Sequence, residues 1–307
     1  MLVVGAGSVG GYFGGKLAAA GRDVTFLARP DRARQLADGL TILAKERRLI
    51  IPVKVISAAQ GTDTFDVIFL AVKSYQLAAA LDDLAPYLHA DTIVLPVLNG
   101  MKHMDVLRSR FGPSRVIGGV AKVATALDAK GWILDQGNFH YLAFGEWSGA
   151  RTDRVLALEG FLSGAEFDAK LSAEIEREMW EKWAMLAGLG AVTCLMDGDI
   201  GAIARASGGR SVVECLFGEI TETIAASWSP LSDTFKSQTL SLLTNVSSNQ
   251  TSSMFRDLKS RHHIEADQII GDLIARATAS EVPTPLLLAV FVRLNVYENS
   301  LTKLPHA

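Results

Sequence analysis

Apolar runs alternate with helix-forming stretches through the first half of the chain. The apolar and β-type runs predict strands, with burial predicted for 65–72 and 92–98, and they cover residues 2–4, 24–28, 39–56, 65–72, 92–98, 116–126, 133–144 and 167–171. Helices are predicted between the early strands at residues 10–20 and 74–88, the second of them capped by Ser74. Strands that alternate with helices of ten to fifteen residues are typical of βαβ units and a parallel sheet.

The second half, from about Ile175 onwards, predicts long helices and few strands. An uncharged stretch of 14 residues, Trp183 to Met196, is shorter than the roughly 20 residues that cross a bilayer, so it predicts a buried core helix. A last helix is predicted from Leu286 to about Tyr297, with Thr284 as its N-cap and Pro285 in its first turn.

The chain length fits two domains, because 307 residues are about twice the usual size of one domain. The patterns place the boundary near Lys170. The predicted fold class is therefore α/β, with an N-terminal domain over residues 1–170 and an all-helical C-terminal domain over residues 171–307.

Composition narrows the classes of partner. Thirty Lys and Arg against 33 Asp and Glu leave a net charge of −3, so neither nucleic acid nor an anionic membrane is expected as a partner. The two cysteines, Cys194 and Cys215, suit a reducing compartment, and the N-terminus lacks a secretion signal. A cytoplasmic protein is expected, and its long apolar helices leave room for a homodimer interface.

A glycine-rich motif opens the predicted sheet. It follows a strand, begins a helix, and consists of Gly5, Ala6, Gly7, Ser8, Val9 and Gly10. The first glycine allows a tight turn, the second lets the backbone approach a pyrophosphate, and the third allows close helix packing. The motif predicts a Rossmann-like dinucleotide-binding domain, and the alternative is an incidental glycine-rich turn.

The end of the second strand indicates which dinucleotide binds. Arg29 stands nineteen positions after Gly10, where an NAD enzyme usually carries an acidic residue for the ribose hydroxyl. A guanidinium there matches the 2′-phosphate of NADP, with Arg32 as support, and the alternative is a solvated arginine. Lys73 and Asn99 follow two later predicted strands, at the edge of the sheet where ligands bind. Lys73 is interpreted either as a contact to the nucleotide phosphate or as a surface lysine. Asn99 either contacts the nicotinamide and substrate or only forms a turn.

Lys182 begins the uncharged stretch and shares a helical face with Met185, Leu186 and Leu189. A lysine on such a face either extends back to water or lines a cleft, where desolvation makes it a usable proton donor.

Glu265 is a second charge on an apolar face, because a helix would align it with Leu258, His262 and Ile269. An isolated buried carboxylate is costly, so Glu265 is expected to have a partner or a function. Ser253 precedes that stripe, and an N-cap is the alternative to a functional hydroxyl. No third ligand accompanies His262 and His263, so no metal site is predicted.

Together these residues resemble the ketopantoate reductase (2-dehydropantoate 2-reductase) family over nearly the whole chain. The motifs that carry the resemblance are GAGSVG at Gly5, Arg29, AVKSYQ at Ala71, LNGM at Leu98, EKW at Glu181, SSMFRDL at Ser252, HIEADQIIG at His263 and EVPTP at Glu281. The resemblance implies a Rossmann domain followed by a helical domain. It also implies reduction of ketopantoate to pantoate with NADPH, a step of pantothenate biosynthesis.

The resemblance also implies residue roles. Lys182 matches the general acid that protonates the carbonyl oxygen. Asn99 matches a contact to both cofactor and substrate. Glu265 matches the carboxylate that binds a substrate hydroxyl and helps hold the lysine, and Ser253 matches the hydroxyl that receives the substrate carboxylate.

The chain departs from the family where substrate amides are expected. Leu186 and Gly190 stand four and eight residues after the lysine, in place of asparagines, and a third asparagine is missing near Ile200. Gln250 replaces a fourth, unless the loop shifts by one residue and Asn249 takes its place. Apolar replacements remove donors that select polar substrates.

Three functional hypotheses follow. The first is an NADPH-dependent reductase of ketopantoate. The second keeps the chemistry with a less polar 2-oxo acid or related carbonyl compound. The third is a non-catalytic NADP(H)-binding sensor, which the presence of both Lys182 and Glu265 disfavours.

Overall fold

The computed structural model describes residues 1–45, 47–58 and 63–302. Its contacts divide the chain into two compact units. The first comprises Met1–Leu98 and His103–Met179, and the second comprises Asn99–Lys102 and the chain from Trp180 onwards. Asn99–Lys102 therefore belongs with the helical half, although it lies in the first third of the sequence.

The first unit contains twelve of the described strands. They are β1 (Leu2–Val4), β2 (Thr25–Leu27), β3 (Leu40–Ala44), β4 (Arg47–Ile51), β5 (Lys54–Ile56), β6 (Val67–Leu70), β7 (Ile93–Pro96), β8 (Gly118–Lys122), β9 (Thr125–Leu127), β10 (Ile133–Asp135), β11 (Tyr141–Gly145) and β12 (Asp168–Leu171). Five of them form a parallel sheet in the order β5-β2-β1-β6-β7. The predicted parallel sheet is confirmed.

Two smaller sheets complete the strands of this unit. One has the order β4-β3-β10-β9 and the other β12-β11-β8, and each contains parallel and antiparallel pairs. The β-type signals at residues 39–56, 116–126 and 133–144 predicted strands but not these pairings, since periodicity identifies a strand and not its partner.

Helices lie between and after these strands. They are α1 (Ser8–Ala19), α2 (Pro30–Gln35), α3 (Leu77–Leu84), α4 (Lys102–Phe111), α5 (Asp153–Leu162) and the start of α6 (Ile175–Met196). The helix predicted at residues 74–88 is α3 with a 3₁₀ turn at each end, Ser74–Gln76 and Ala85–Tyr87. Lys73, not Ser74, takes the N-cap position of the first turn.

The described part of the second unit is helical, which confirms the predicted fold class. After α6 it contains α7 (Ile200–Arg205), α8 (Gly209–Ser227), α9 (Asp233–Leu243), α10 (Ser253–Lys259), a π-helical turn (Asp267–Gly271), α11 (Asp272–Ala279) and α12 (Pro285–Thr302). It contains stacked indoles, with the rings of the buried Trp180 and the half-buried Trp228 5.5 Å apart at 9°. The Arg276 guanidinium lies 5.4 Å from the Trp180 ring and 5.6 Å from the Trp183 ring, so it fixes α11 against α6.

The helical stripe predicted from Leu258 to Ile269 is wrong, because α10 ends at Lys259. Arg261 adopts a left-handed φ of +58°. Its N–H donates to Leu258 O, and the N–H of His262 donates to Asp257 O, which together make a Schellman C-cap. Arginine stands there in place of the usual glycine, so no glycine marks the end of this helix in the sequence.

The last helix begins as predicted, with Thr284 accepting the first helical hydrogen bond, and it continues to Thr302, five residues beyond Tyr297. A carboxylate from another helix satisfies its first turn. The two oxygens of Glu219 on α8 accept the N–H groups of Leu286 and Leu287 at 2.9 and 2.8 Å. This contact pairs a negative charge with the positive end of the helix.

Replacing Glu219 with alanine is expected to lower the free energy of unfolding by about 1–3 kcal/mol, because two charge-assisted hydrogen bonds are lost together. Urea denaturation followed by circular dichroism measures the change. Glu222→Ala, an exposed position on the same helix, is the matched control and is expected to change stability little. Equal losses in both variants would refute the capping role.

Candidate active site

A cleft of about 560 Å³ opens in the first unit at the carboxyl ends of its parallel strands. Gly5, Ala6, Gly7 and Arg29 line it. Among the described residues, the lining does not include Ser8, Val9, Gly10 or Lys73, although Val72 and Gln76 on either side of Lys73 do line it.

The glycine motif has the backbone geometry that its sequence requires. Gly5 has a φ of +97°, and a Cβ there would lie 2.8 Å from the carbonyl oxygen of Ala71. A Cβ on Gly10 would lie 2.2 Å from the carbonyl oxygen of Gly5. Side chains at these two positions would therefore break the turn between β1 and α1.

Gly7 differs, because a Cβ there would meet no described atom within 4 Å. It is the N-cap residue of α1, and the first turn of that helix contains no acidic residue. The first N–H groups of a helix lack carbonyl partners within it and carry a partial positive charge. Open space over such a helix end fits a pyrophosphate.

Two arginines follow β2 at this edge of the sheet. Arg29 is exposed at the N-cap of α2. Arg32 is held by the backbone, since its Nε donates to Ala6 O at 2.7 Å and its Nη1 donates to Gly131 O at 2.7 Å. Its Nη2 is buried and has no hydrogen-bond partner among the described residues, and burial lowers the pKa of Arg32. A buried donor without a partner fits an anionic group on the ligand.

The second unit carries Lys182 on α6, where the side chain is half-buried on the same face as the half-buried Leu186. The neighbouring Trp183 is buried, and its Nε1 donates to the carbonyl oxygen of Ile269 at 3.0 Å. This hydrogen bond fixes α6 against the π-helical turn, one residue from Lys182 and four from Glu265.

Glu265 is only 6% exposed and lies directly before the helical segment that begins at Ala266. The loop in front of it is fixed to α12. Glu298 accepts the N–H of Ile264 at 2.6 Å and contacts His263 Nδ1 at 2.8 Å, and Tyr297 donates its hydroxyl to His262 O at 2.8 Å. The carboxylate is therefore presented from a loop that a second helix holds in place.

Ser253 is exposed in the first turn of α10, and the N-cap interpretation of it is wrong. Ser252 is the N-cap, accepting the N–H of Phe255 at 2.9 Å, and its Oγ lies 3.0 Å from Thr193 Oγ1. The capping role thus belongs to the preceding serine, which leaves the Ser253 hydroxyl at the surface. Burial raises the pKa of the nearby Cys194 thiol to about 12, so this cysteine is unreactive at neutral pH.

The Asn99 turn packs against the π-helical turn of its own unit. Gln268 Nε2 donates to the carbonyl oxygen of Asn99 at 2.8 Å, and Lys102 Nζ pairs with Asp267. Asn99 is half-buried there. The sequence did not identify Gln268, although its position three residues after Glu265 is the signal that could have done so.

The positions where family asparagines are missing show two environments. Apart from its own helix, a Cβ on Gly190 would meet, among the described residues, the terminal methyl of Met254 at 2.8 Å, so a methionine fills that space. Ile200 is fully buried, and its N–H donates to the carbonyl oxygen of Gln250, whose side chain is exposed. The positions on α6 four and eight residues after Lys182, Leu186 and Gly190, are therefore apolar.

Over residues 1–45, 47–58 and 63–302, no group of three or more His, Cys, Asp or Glu is placed to hold a metal ion. No helix in the part of the chain that the structure describes is both long and apolar enough to cross a membrane.

Two family models match most of the chain. The model described as ketopantoate reductase PanE/ApbA matches residues 1–149, and the model described as ketopantoate reductase PanE/ApbA C terminal matches residues 174–298. The chain is also 36% identical over 298 residues to the uncharacterized oxidoreductase YkpB of Bacillus subtilis strain 168, a match that covers 97% of this chain and 98% of the relative.

Solved structures show the same fold. A PanE/ApbA family ketopantoate reductase from Ralstonia eutropha JMP134 has a TM-score of 0.88 at 24% identity, covering 98% of this chain and 100% of that one. D-mandelate dehydrogenase in complex with NADH and anilino(oxo)acetate has a TM-score of 0.87 at 20% identity, with the same coverage. The architecture is therefore shared at low sequence identity.

Proposed function

The chain belongs to the ketopantoate reductase PanE/ApbA family, whose members are oxidoreductases acting on a CH–OH or C=O group, and we propose that it reduces a 2-oxo acid to a 2-hydroxy acid with NADPH. Ketopantoate is the first candidate substrate. The proposal depends mainly on the placement of Lys182 and the buried Glu265. Lys182 lies next to Trp183 on α6, Glu265 lies just before the π-helical turn, and the hydrogen bond from Trp183 to Ile269 joins these two segments.

The residues of the first unit support binding of NADPH. The α1 N-terminus at Gly7 offers free N–H groups to the pyrophosphate. Arg29 and the partnerless Nη2 of Arg32 offer guanidinium donors to the 2′-phosphate. Lys73 adds a positive charge beside Val72 at the same strand end. When bound, the nicotinamide supplies the hydride for reduction of the 2-oxo carbon.

The residues of the second unit support the rest of the reaction. Lys182 donates a proton to the substrate carbonyl oxygen as the carbon is reduced, and solvent then restores that proton. Glu265 accepts a hydrogen bond from a substrate hydroxyl and holds the lysine ammonium. Ser253 donates its exposed hydroxyl to the substrate carboxylate, and Asn99 contacts both cofactor and substrate.

A less polar 2-oxo acid is the second candidate substrate, and the apolar wall of α6 favours it. Leu186 and the Gly190–Met254 contact stand where family members present amides. A polar substrate group facing this wall would lose a hydrogen bond, which costs about 1–3 kcal/mol when the group is buried. D-mandelate dehydrogenase, a fold relative, carries an aromatic 2-oxo acid derivative in its complex.

The test is NADPH oxidation by the purified protein with one carbonyl compound at a time. Ketopantoate is compared with 2-oxo-4-methylpentanoate and phenylglyoxylate. If ketopantoate is the substrate, we expect turnover of it at ordinary enzyme rates and a kcat/KM above those of the two apolar acids. The reverse order would assign the second. Tight NADPH binding without turnover of any 2-oxo acid would refute the reductase and indicate a sensor.

The variant Leu186→Asn separates the two substrates further. If an apolar acid is the substrate, the introduced amide is expected to lower kcat/KM for that acid about 10-fold and to raise it for ketopantoate. Ala187→Ser, at a buried position on the next face of α6, is the control for a general disturbance of the helix. Parallel changes for all substrates would show that residue 186 does not contact them.

A further inference from the structure

The π-helical turn Asp267–Gly271 lies between the two segments that carry the proposed catalytic groups of the second unit. On one side, its Ile269 carbonyl accepts the indole N–H of Trp183, next to Lys182. On the other side, it contacts the Asn99–Lys102 segment. Through Asp267, Gln268 and Ile269 this turn thus contacts both the helix of the proposed acid and the turn of Asn99. Turns of this type are frequent at functional sites.

The π geometry explains how the Asn99 turn comes so close. In an α-helix the Asp272 N–H would donate to Gln268 O, but here it donates to Asp267 O. The Gln268 carbonyl oxygen lies beside Gly100. A Cβ on Gly100 would lie 2.7 Å from that oxygen, and Gly100 has a φ of +81°. Only glycine fits this position on both grounds.

We propose that Gln268 is a positioning residue, which sets the direction of the Asn99 carboxamide by binding the Asn99 backbone carbonyl. Gln268 is 4% exposed, and its Nε2 lies 2.8 Å from that carbonyl oxygen. The hydrogen bond fixes the peptide plane that follows Asn99, while Gly100 packs on the Gln268 backbone. The proposal rests on the proposed function, in which Asn99 contacts the cofactor and substrate.

The decisive experiment is a double-mutant cycle of Gln268→Met and Asn99→Ala in the full-length protein. Gln268→Met keeps the length of the side chain and removes the donor. It is expected to lower kcat/KM about 10- to 100-fold, the size of effect expected when a contacting group is misplaced by about 1 Å. In the Asn99→Ala background the same change is expected to have almost no further effect. If the kcat/KM losses of the two single variants multiply in the double variant, the two residues act independently and the proposal is overturned.

The variant Gln268→Glu adds a readout that a loss of packing would not change. The introduced carboxyl donates to Asn99 O only when it is protonated. Glu265 and Asp267 are charged groups close to it in sequence, and Lys102 pairs with Asp267. Its kcat/KM relative to the natural protein is therefore expected to rise as the pH falls. The relative value for Gln268→Met is expected to stay constant with pH. Identical profiles for both variants would overturn the proposal.

Failure of the proposed function is distinguishable from failure of this inference. If the natural protein turns over no 2-oxo acid, the reductase is refuted, and the same cycle is measured on the dissociation constant of NADPH by nucleotide fluorescence. Coupling between the two positions would still support positioning of Asn99. An Asn99→Ala variant that changes neither property would overturn the inference, because Gln268 would have nothing to position.

Discussion

Lys182→Ala is expected to lower kcat by about 10²–10⁴-fold, the usual contribution of a positioned general acid. The affinity for NADPH is expected to stay nearly unchanged, because Lys182 belongs to the second unit and the candidate nucleotide cleft to the first. Steady-state NADPH oxidation measures the first quantity and nucleotide fluorescence titration the second.

The matched control is Lys236→Ala, since Lys236 lies on α9 and pairs with Asp233 at the surface. Its removal is expected to leave both quantities unchanged. A collapse of NADPH affinity in Lys182→Ala would place this lysine on the cofactor side and refute its role as the acid.

Arg29→Ala is expected to weaken NADPH binding about 10- to 100-fold and to leave NADH binding almost unchanged. The reason is that one charge-assisted contact to the 2′-phosphate, worth about 1.5–3 kcal/mol, is lost for NADPH alone. Arg34→Ala is the control, because Arg34 lies exposed on the same short helix and pairs with Asp31.

Equal losses for NADPH and NADH in Arg29→Ala would refute the 2′-phosphate role. Arg32 differs from Arg29 because it donates to Ala6 O within the glycine motif. Loss of Arg32 is therefore expected to disturb the binding of both nucleotides, and loss of its Nη2 donor is expected to add a further loss for NADPH alone.

The sequence predicted the fold class because that class depends on local signals, and the same signals predicted the positions of Gly5, Ala6, Gly7 and Arg29, which line the candidate nucleotide cleft. The Gly5–Gly10 motif requires a strand before it and a helix after it, and both are readable from a few residues. The position of Arg29 at the end of the second strand follows from its distance of nineteen residues from Gly10.

The parts that the sequence did not predict depend on contacts between distant segments. Arg261 ends a helix in a left-handed conformation that arginine rarely adopts, so the break before Glu265 was not foreseen. The carboxylate of Glu219 replaces a local cap of α12 from a position 66 residues before Pro285. Gln268 acquires its contact to Asn99 from 169 residues away. No short window of sequence contains such pairs.

The second unit is built from two separate segments of the chain, Asn99–Lys102 and the residues from Trp180 onwards. This restricts how the N-terminal and C-terminal halves of the chain can be exchanged between relatives. A chimera that joins residues 1–170 of this chain to the C-terminal half of another family member would inherit Gly100 and Asn99 from one parent and residue 268 from the other. In that chimera a residue without a donor at position 268 would meet Asn99, and in the reciprocal chimera a residue bulkier than glycine at position 100 would meet Gln268. Functional recombinants are therefore expected to be those that transfer the Asn99–Lys102 segment together with the helical half.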